Sequence, residues 1–87
     1  MKIKSDYLLR QIAGTWVIFS LEIDSPADVL TINDAGVLLW KLLTDGCEKS
    51  ALVQALTDEY EVSSDRASMD VDEFIGKLRK FGCLEEQ

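Results

Sequence analysis

The side chains that could do chemistry in this 87-residue chain are mostly acids. Asp70, Asp72 and Glu73 stand together late in the sequence. General acid–base work needs carboxylates that face one cleft. On a helix, neighbours such as Asp72 and Glu73 point about 100° apart, so the trio reads as a solvated face. Asp58, Glu59 and Glu61 fall at a helix end, where their side chains do not converge on a metal. Histidine is absent, and with it the commonest general base and metal ligand. Cys47 and Cys83 are far apart and form no Cys-x-x-Cys. With no secretion signal they read as reduced, partly buried thiols, and a zinc site would need more ligands. Gly14, Gly36 and Gly46 lack the spacing of a phosphate loop. No nucleophile–base pair is formed. The expectation is a protein that is not an enzyme and holds no cofactor and no metal.

Two other groups of side chains bear on binding. Trp16 and Trp40 could each stack on a ring or a base. Trp40 lies in a densely apolar run and reads as core, whereas Trp16, in a strand, is either core or half exposed. Lys77, Arg79 and Lys80 form the basic cluster. They complement a helix C-terminus, or they offer a contact to an acidic peptide. Lys77 flanks the stripe made by Phe74 and Phe81, an apolar shelf with a cationic rim.

These residues need elements to position them, and the clearest is a strand running straight into a helix. Val29-Leu30-Thr31-Ile32 is a short strand. Asn33 can cap a helix, and Asp34 places a negative charge at its positive end. Val37, Leu38, Leu39, Trp40, Leu42 and Leu43 are too many for one stripe, so this helix should be buried on most of its surface. Thr44-Asp45-Gly46 stops it. Gly36 reads as a point of close approach for the third strand or another helix.

Upstream, residues 5–13 read as a strand, Ala13-Gly14-Thr15 as a turn, and Trp16-Val17-Ile18-Phe19 as a second strand. Asp24-Ser25-Pro26-Ala27-Asp28 is a loop. Downstream, Leu52, Val53, Leu56 and Tyr60 share a face of a second helix from Lys49 to Tyr60, with Glu48 as a poor N-cap. Val62-Ser63-Ser64-Asp65 breaks the pattern and recaps. Ala67, Val71, Phe74, Ile75, Leu78 and Phe81 then mark a third helix ending at Gly82. Cys83-Leu84 should pack back, and Glu85-Glu86-Gln87 should fray.

The predicted fold is α+β and winged-helix-like: a three-stranded antiparallel meander followed by three helices (β-β-β-α-α-α), in one domain over residues 1–87. Apolar residues make up 47% of the chain, enough to exclude global disorder. The net charge of −7 disfavours nucleic acid and anionic lipid. It suits a basic or neutral partner, or serves solubility alone. No apolar run is long enough to span a membrane, and none follows Met1-Lys2-Ile3-Lys4 as a signal peptide requires. The expected location is cytoplasmic.

Leu30-Thr31-Ile32-Asn33-Asp34-Ala35-Gly36, followed by Leu39-Trp40-Lys41-Leu42-Leu43, resembles the PqqD family. The likeness extends over nearly the whole chain. It includes Leu9-Arg10, Ala13-Gly14, Asp45-Gly46, Leu52-Val53-Gln54-Ala55-Leu56 and Glu59-Tyr60. Asp70-Val71 with Phe74, Leu78 and Gly82, then Leu84-Glu85, completes it. It departs at Ser25-Pro26-Ala27-Asp28, where many relatives carry a glycine turn, and at Glu48, where a Ser or Thr cap is usual. Members are small recognition proteins for ribosomally made, enzymatically modified peptides. The resemblance implies a chain that binds the leader segment of a precursor peptide as an added strand and presents it to a modifying enzyme, often a radical SAM enzyme. It makes Val29, Leu30, Thr31 and Ile32 the peptide-binding edge. The facing wall is then the helix bearing Val71, Phe74, Lys77, Leu78 and Phe81. An edge strand with unpaired N–H and C=O groups is physically suited to that role. The alternatives are a winged-helix DNA-binding regulator, against which the acids Asp58 and Glu59 of the second helix count, and a non-catalytic protein-binding subunit.

Overall fold

The computed structural model describes residues 1–21 and 29–86. The loop expected at Asp24–Asp28 lies outside the described residues. The elements are β1 (Lys2–Ile3), β2 (Tyr7–Ile12), β3 (Thr15–Ser20), β4 (Val29–Ile32), α1 (Asp34–Asp45), α2 (Lys49–Glu59), α3 (Ser64–Phe81) and β5 (Leu84–Glu85). β2, β3 and β4 form an antiparallel sheet in that order, and three helices follow it. This is the expected α+β, winged-helix-like layout.

The β2–β3 turn orients the whole sheet. Ile12 pairs with Thr15 across Ala13-Gly14, and both turn residues have positive φ, 52° and 82°. Two such residues are what a tight hairpin of the type I′ kind requires. Gly14 takes this conformation freely, whereas Ala13 does so against its Cβ. In such a hairpin the residues flanking the turn exchange both backbone hydrogen bonds, and the pattern then alternates. Thr15, Val17 and Phe19 therefore point their N–H and C=O groups toward β2. The Leu21 amide, one step further along, keeps the alternation by donating to the Asp6 carbonyl at 2.8 Å. Trp16 and Ile18 consequently bond to β4, where they face Ile32 and Leu30. On β4 the backbone groups of Leu30 and Ile32 point inward, and those of Val29 and Thr31 point to the free edge.

The helices begin and end where local chemistry says they should. Asn33 Oδ1 accepts a hydrogen bond from the Gly36 amide at 2.9 Å and starts α1. Ser63 Oγ accepts from the Arg66 amide at 3.2 Å and starts α3. Glu48 makes no side-chain cap to α2. Gly82 closes α3 in the left-handed conformation, its amide donating to the Leu78 carbonyl at 2.9 Å. Ile18, Leu39, Leu43, Leu52, Val71 and Leu78 are fully buried between sheet and helices. Trp40 joins them at 5% exposure, as its apolar surroundings predict.

One expectation fails. Glu85 and Glu86 do not fray. Lys2 pairs with Glu85 and Ile3 with Leu84, so β1 and β5 make a second small antiparallel sheet. The Lys4 amide extends it by donating to the Cys83 carbonyl at 2.9 Å, and Glu86 is paired with Arg79. The partners lie at opposite ends of the chain, so no local pattern announces the pairing.

Candidate functional site

The free edge of β4 opens onto a groove of about 580 Å³. Thr31, Ile32 and Asn33 form its strand side, and Arg66, Asp70, Glu73, Phe74 and Lys77 of α3 form its opposite wall. Leu39 and Leu56 lie at its floor, and Tyr60 and Val62, just past α2, close one end. Tyr60 can do this because it leaves α2 in extended conformation.

The floor exists because Gly36 lacks a side chain. A Cβ there would stand 3.0 Å from both Ile32 Cβ and Phe74 Cε1. The start of α1, the end of β4 and the middle of α3 thus meet at one point, the close approach expected of Gly36. Phe74 is drawn down against this junction and is buried.

The sequence-predicted site residues separate into three groups. Thr31, Ile32, Phe74 and Lys77 come together in the groove. Val29 and Leu30 continue the same strand, Val29 exposed at 39% and Leu30 half-buried against the core. Val71 and Leu78 have no exposed surface and face the core behind the wall. Phe81 packs edge-on against Tyr7, with ring centroids 5.9 Å apart, under the other end of the sheet. Arg66, Asp70, Glu73, Tyr60 and Val62 were not anticipated as lining residues. The helical spacing of residues 66, 70, 73, 74 and 77 carries that signal, since all share one face of α3 with Phe74.

The wall's charges are not all equal. Arg66 and Asp70 pair with each other, Nε to Oδ1 at 3.4 Å. Among the described residues, Glu73 and Lys77 have no such partner. Asp72 turns away and pairs with Lys49 at 2.8 Å, the solvated role expected of it. Neither thiol lies in the groove. Burial pushes the Cys83 thiol up to about 11, so it is protonated and poorly nucleophilic at neutral pH. What the groove offers is a strand edge, an apolar floor and a charged rim, an arrangement for binding an extended chain.

The coenzyme PQQ synthesis protein D model, PqqD, matches residues 15–84. The chain belongs to the PqqD family. The matched stretch holds every element that lines the groove, from β4 to α3. No curated protein matches the sequence. Among solved structures, one similar to this PqqD-family chain is TbiB1 in complex with the TbiA(beta) leader peptide. Its TM-score is 0.80 at 24% identity, covering 100% of this chain and 98% of that one. Another is lasso peptide synthetase B1 complexed with the leader peptide. Its TM-score is 0.77 at 22% identity, covering 98% of this chain and 96% of that one. At such identities the likeness establishes a shared fold.

Proposed function

We propose that this protein binds the leader segment of a ribosomally synthesised precursor peptide as a fourth strand on β4 and presents it to a modifying enzyme. The observation that carries this reading is the direction of the β4 backbone. Among the described residues, Val29 and Thr31 turn their N–H and C=O groups away from β3, and Thr31 lines the groove that α3 walls on the far side. A strand added there gains backbone bonds from Val29 and Thr31 and packs its alternate side chains toward Ile32, Phe74 and Lys77. Val71, Leu78 and Phe81 act from behind, holding the wall helix on the core. Both structural neighbours were solved with a leader peptide, which supports the same use of the shared fold.

The protein's own part is recognition, without catalysis and without a cofactor. The family resemblance makes a radical SAM enzyme the first partner to test. A neutral or basic peptide suits the chain's net charge of −7. Lys77 pairs with an acidic leader residue. An exposed pair of this kind contributes about 0.5–1 kcal/mol, so Lys77→Ala should weaken binding only a few-fold.

The test is an amide NMR titration of the full chain with the leader encoded beside its gene. Shifts should cluster at residues 29–32 and along the groove face of α3. Shifts confined to β2, the β2–β3 turn or α2, with 29–32 silent, would place the site elsewhere.

A further inference from the structure

The groove wall carries a sequence preference that strand addition alone does not supply. Backbone pairing with β4 accepts almost any peptide, so specificity has to come from side chains facing α3. Four charges line that wall, and two of them, Arg66 and Asp70, are already paired with each other. Glu73 and Lys77 are exposed and have no partner among the described residues. They are four positions apart on one face of the helix, a rise of about 6 Å. Alternate residues of an extended strand are about 6.7 Å apart and share one face. Residues of α3 from Arg66 to Lys77 line the groove, so a strand lying in it has both charges on its wall. The two repeats match to within an ångström.

We infer that Glu73 and Lys77 together read a pair of opposite charges at alternate positions of the bound peptide, a base facing Glu73 and an acid facing Lys77. The inference rests on the peptide-binding reading above and gives it a substrate class: leaders with a basic and an acidic residue two apart on the face toward α3. The order matters as well as the spacing. A leader with the two charges exchanged places like against like at both positions, which is costlier than losing the pairs. Glu73 and Lys77 also stand in the order that pairs within an isolated helix, but that contact is weak and easily exchanged for the peptide.

The experiment uses a displayed library of random twelve-residue peptides, selected separately on the full-length protein and on the doubly reversed variant Glu73→Lys/Lys77→Glu. Both residues are exposed, so the variant should keep its melting temperature. Peptides enriched on the native protein should share an acid and a base two positions apart in one order. Those enriched on the variant should show the opposite order. An enriched peptide should bind the variant roughly tenfold more weakly, and its charge-exchanged version should recover that loss. The difference should shrink as salt rises. If both proteins enrich peptides with the same charges, or with none, the inference is overturned. Amide shifts at residues 29–32 with those same peptides would then leave the strand-addition reading standing. If no enriched peptide shifts residues 29–32, that reading falls too.

Discussion

Among the described residues the sheet has two outer edges, β2 and β4, and α3 walls the second. β2 is the longer, with six residues, and by the same alternation the backbone groups of Leu9 and Gln11 point outward along it, while the Tyr7 amide donates to the Lys4 carbonyl at 3.3 Å. Its far half, Arg10 to Ile12, is exposed, with Ile12 at 59%. β4 has only four residues, yet its outward groups face a groove closed by α3 and floored by α1 and α2. An open edge offers backbone bonds that water satisfies equally well. A walled edge adds apolar burial and charge contacts to the same bonds, so the wall, more than the length of exposed strand, makes the site.

The largest change should leave the two edges indistinguishable. Trp40→Ala removes a buried aromatic from the core beneath the sheet and should cost about 3–5 kcal/mol, enough to unfold so small a protein. Thermal melting measures this, and an unchanged melting temperature would mean that Trp40 does not hold the core.

The next change should separate the edges. Thr31→Pro removes an outward N–H from β4 without touching its ladder to β3, and Gln11→Pro does the same on β2. The first should weaken leader binding by about 1–3 kcal/mol, roughly 5- to 150-fold, because a peptide carbonyl loses its donor in the groove. The second should leave binding unchanged. Equal losses for both variants, measured by calorimetry, would erase the distinction between the edges.

Gly36→Ala tests the wall from inside. Its Cβ would press on Ile32 Cβ, which is fixed to the β4 backbone, and on the Phe74 ring. Overpacking of this kind costs about 1–3 kcal/mol, partly offset by a helix preference of up to about 1 kcal/mol. The net should be a stability loss of about 1 kcal/mol, with weakened binding. The smallest effect belongs to the open edge and has the opposite sign. Ala13→Asn places a residue tolerant of positive φ in the hairpin and should add roughly 0.5–1 kcal/mol of stability without altering binding.

The sequence by itself determined what local patterns determine. Asn33 as a cap, the recapping stretch Val62-Ser63-Ser64-Asp65, Gly14 in the hairpin and Gly82 as a helix stop follow from the backbone needs of single turns. The dense apolar run around Trp40 placed that residue in the core, whereas the apolar spacing of α3 marked Val71 and Leu78 as helix positions without separating a core-facing role from a peptide-facing one. The family resemblance pointed to β4 and α3 as the two sides of the site. Only the tertiary structure decided which side chains of α3 meet the groove. A one-dimensional stripe names the buried face of a helix but not the angle at which it crosses the strand. That angle brings Phe74 and Lys77 to the groove with Glu73, and leaves Val71 and Leu78 behind it. The pairing of β1 with β5 was decided at the same level. It joins Lys2 to Glu85 across the length of the chain, and such contacts leave no trace in local spacing.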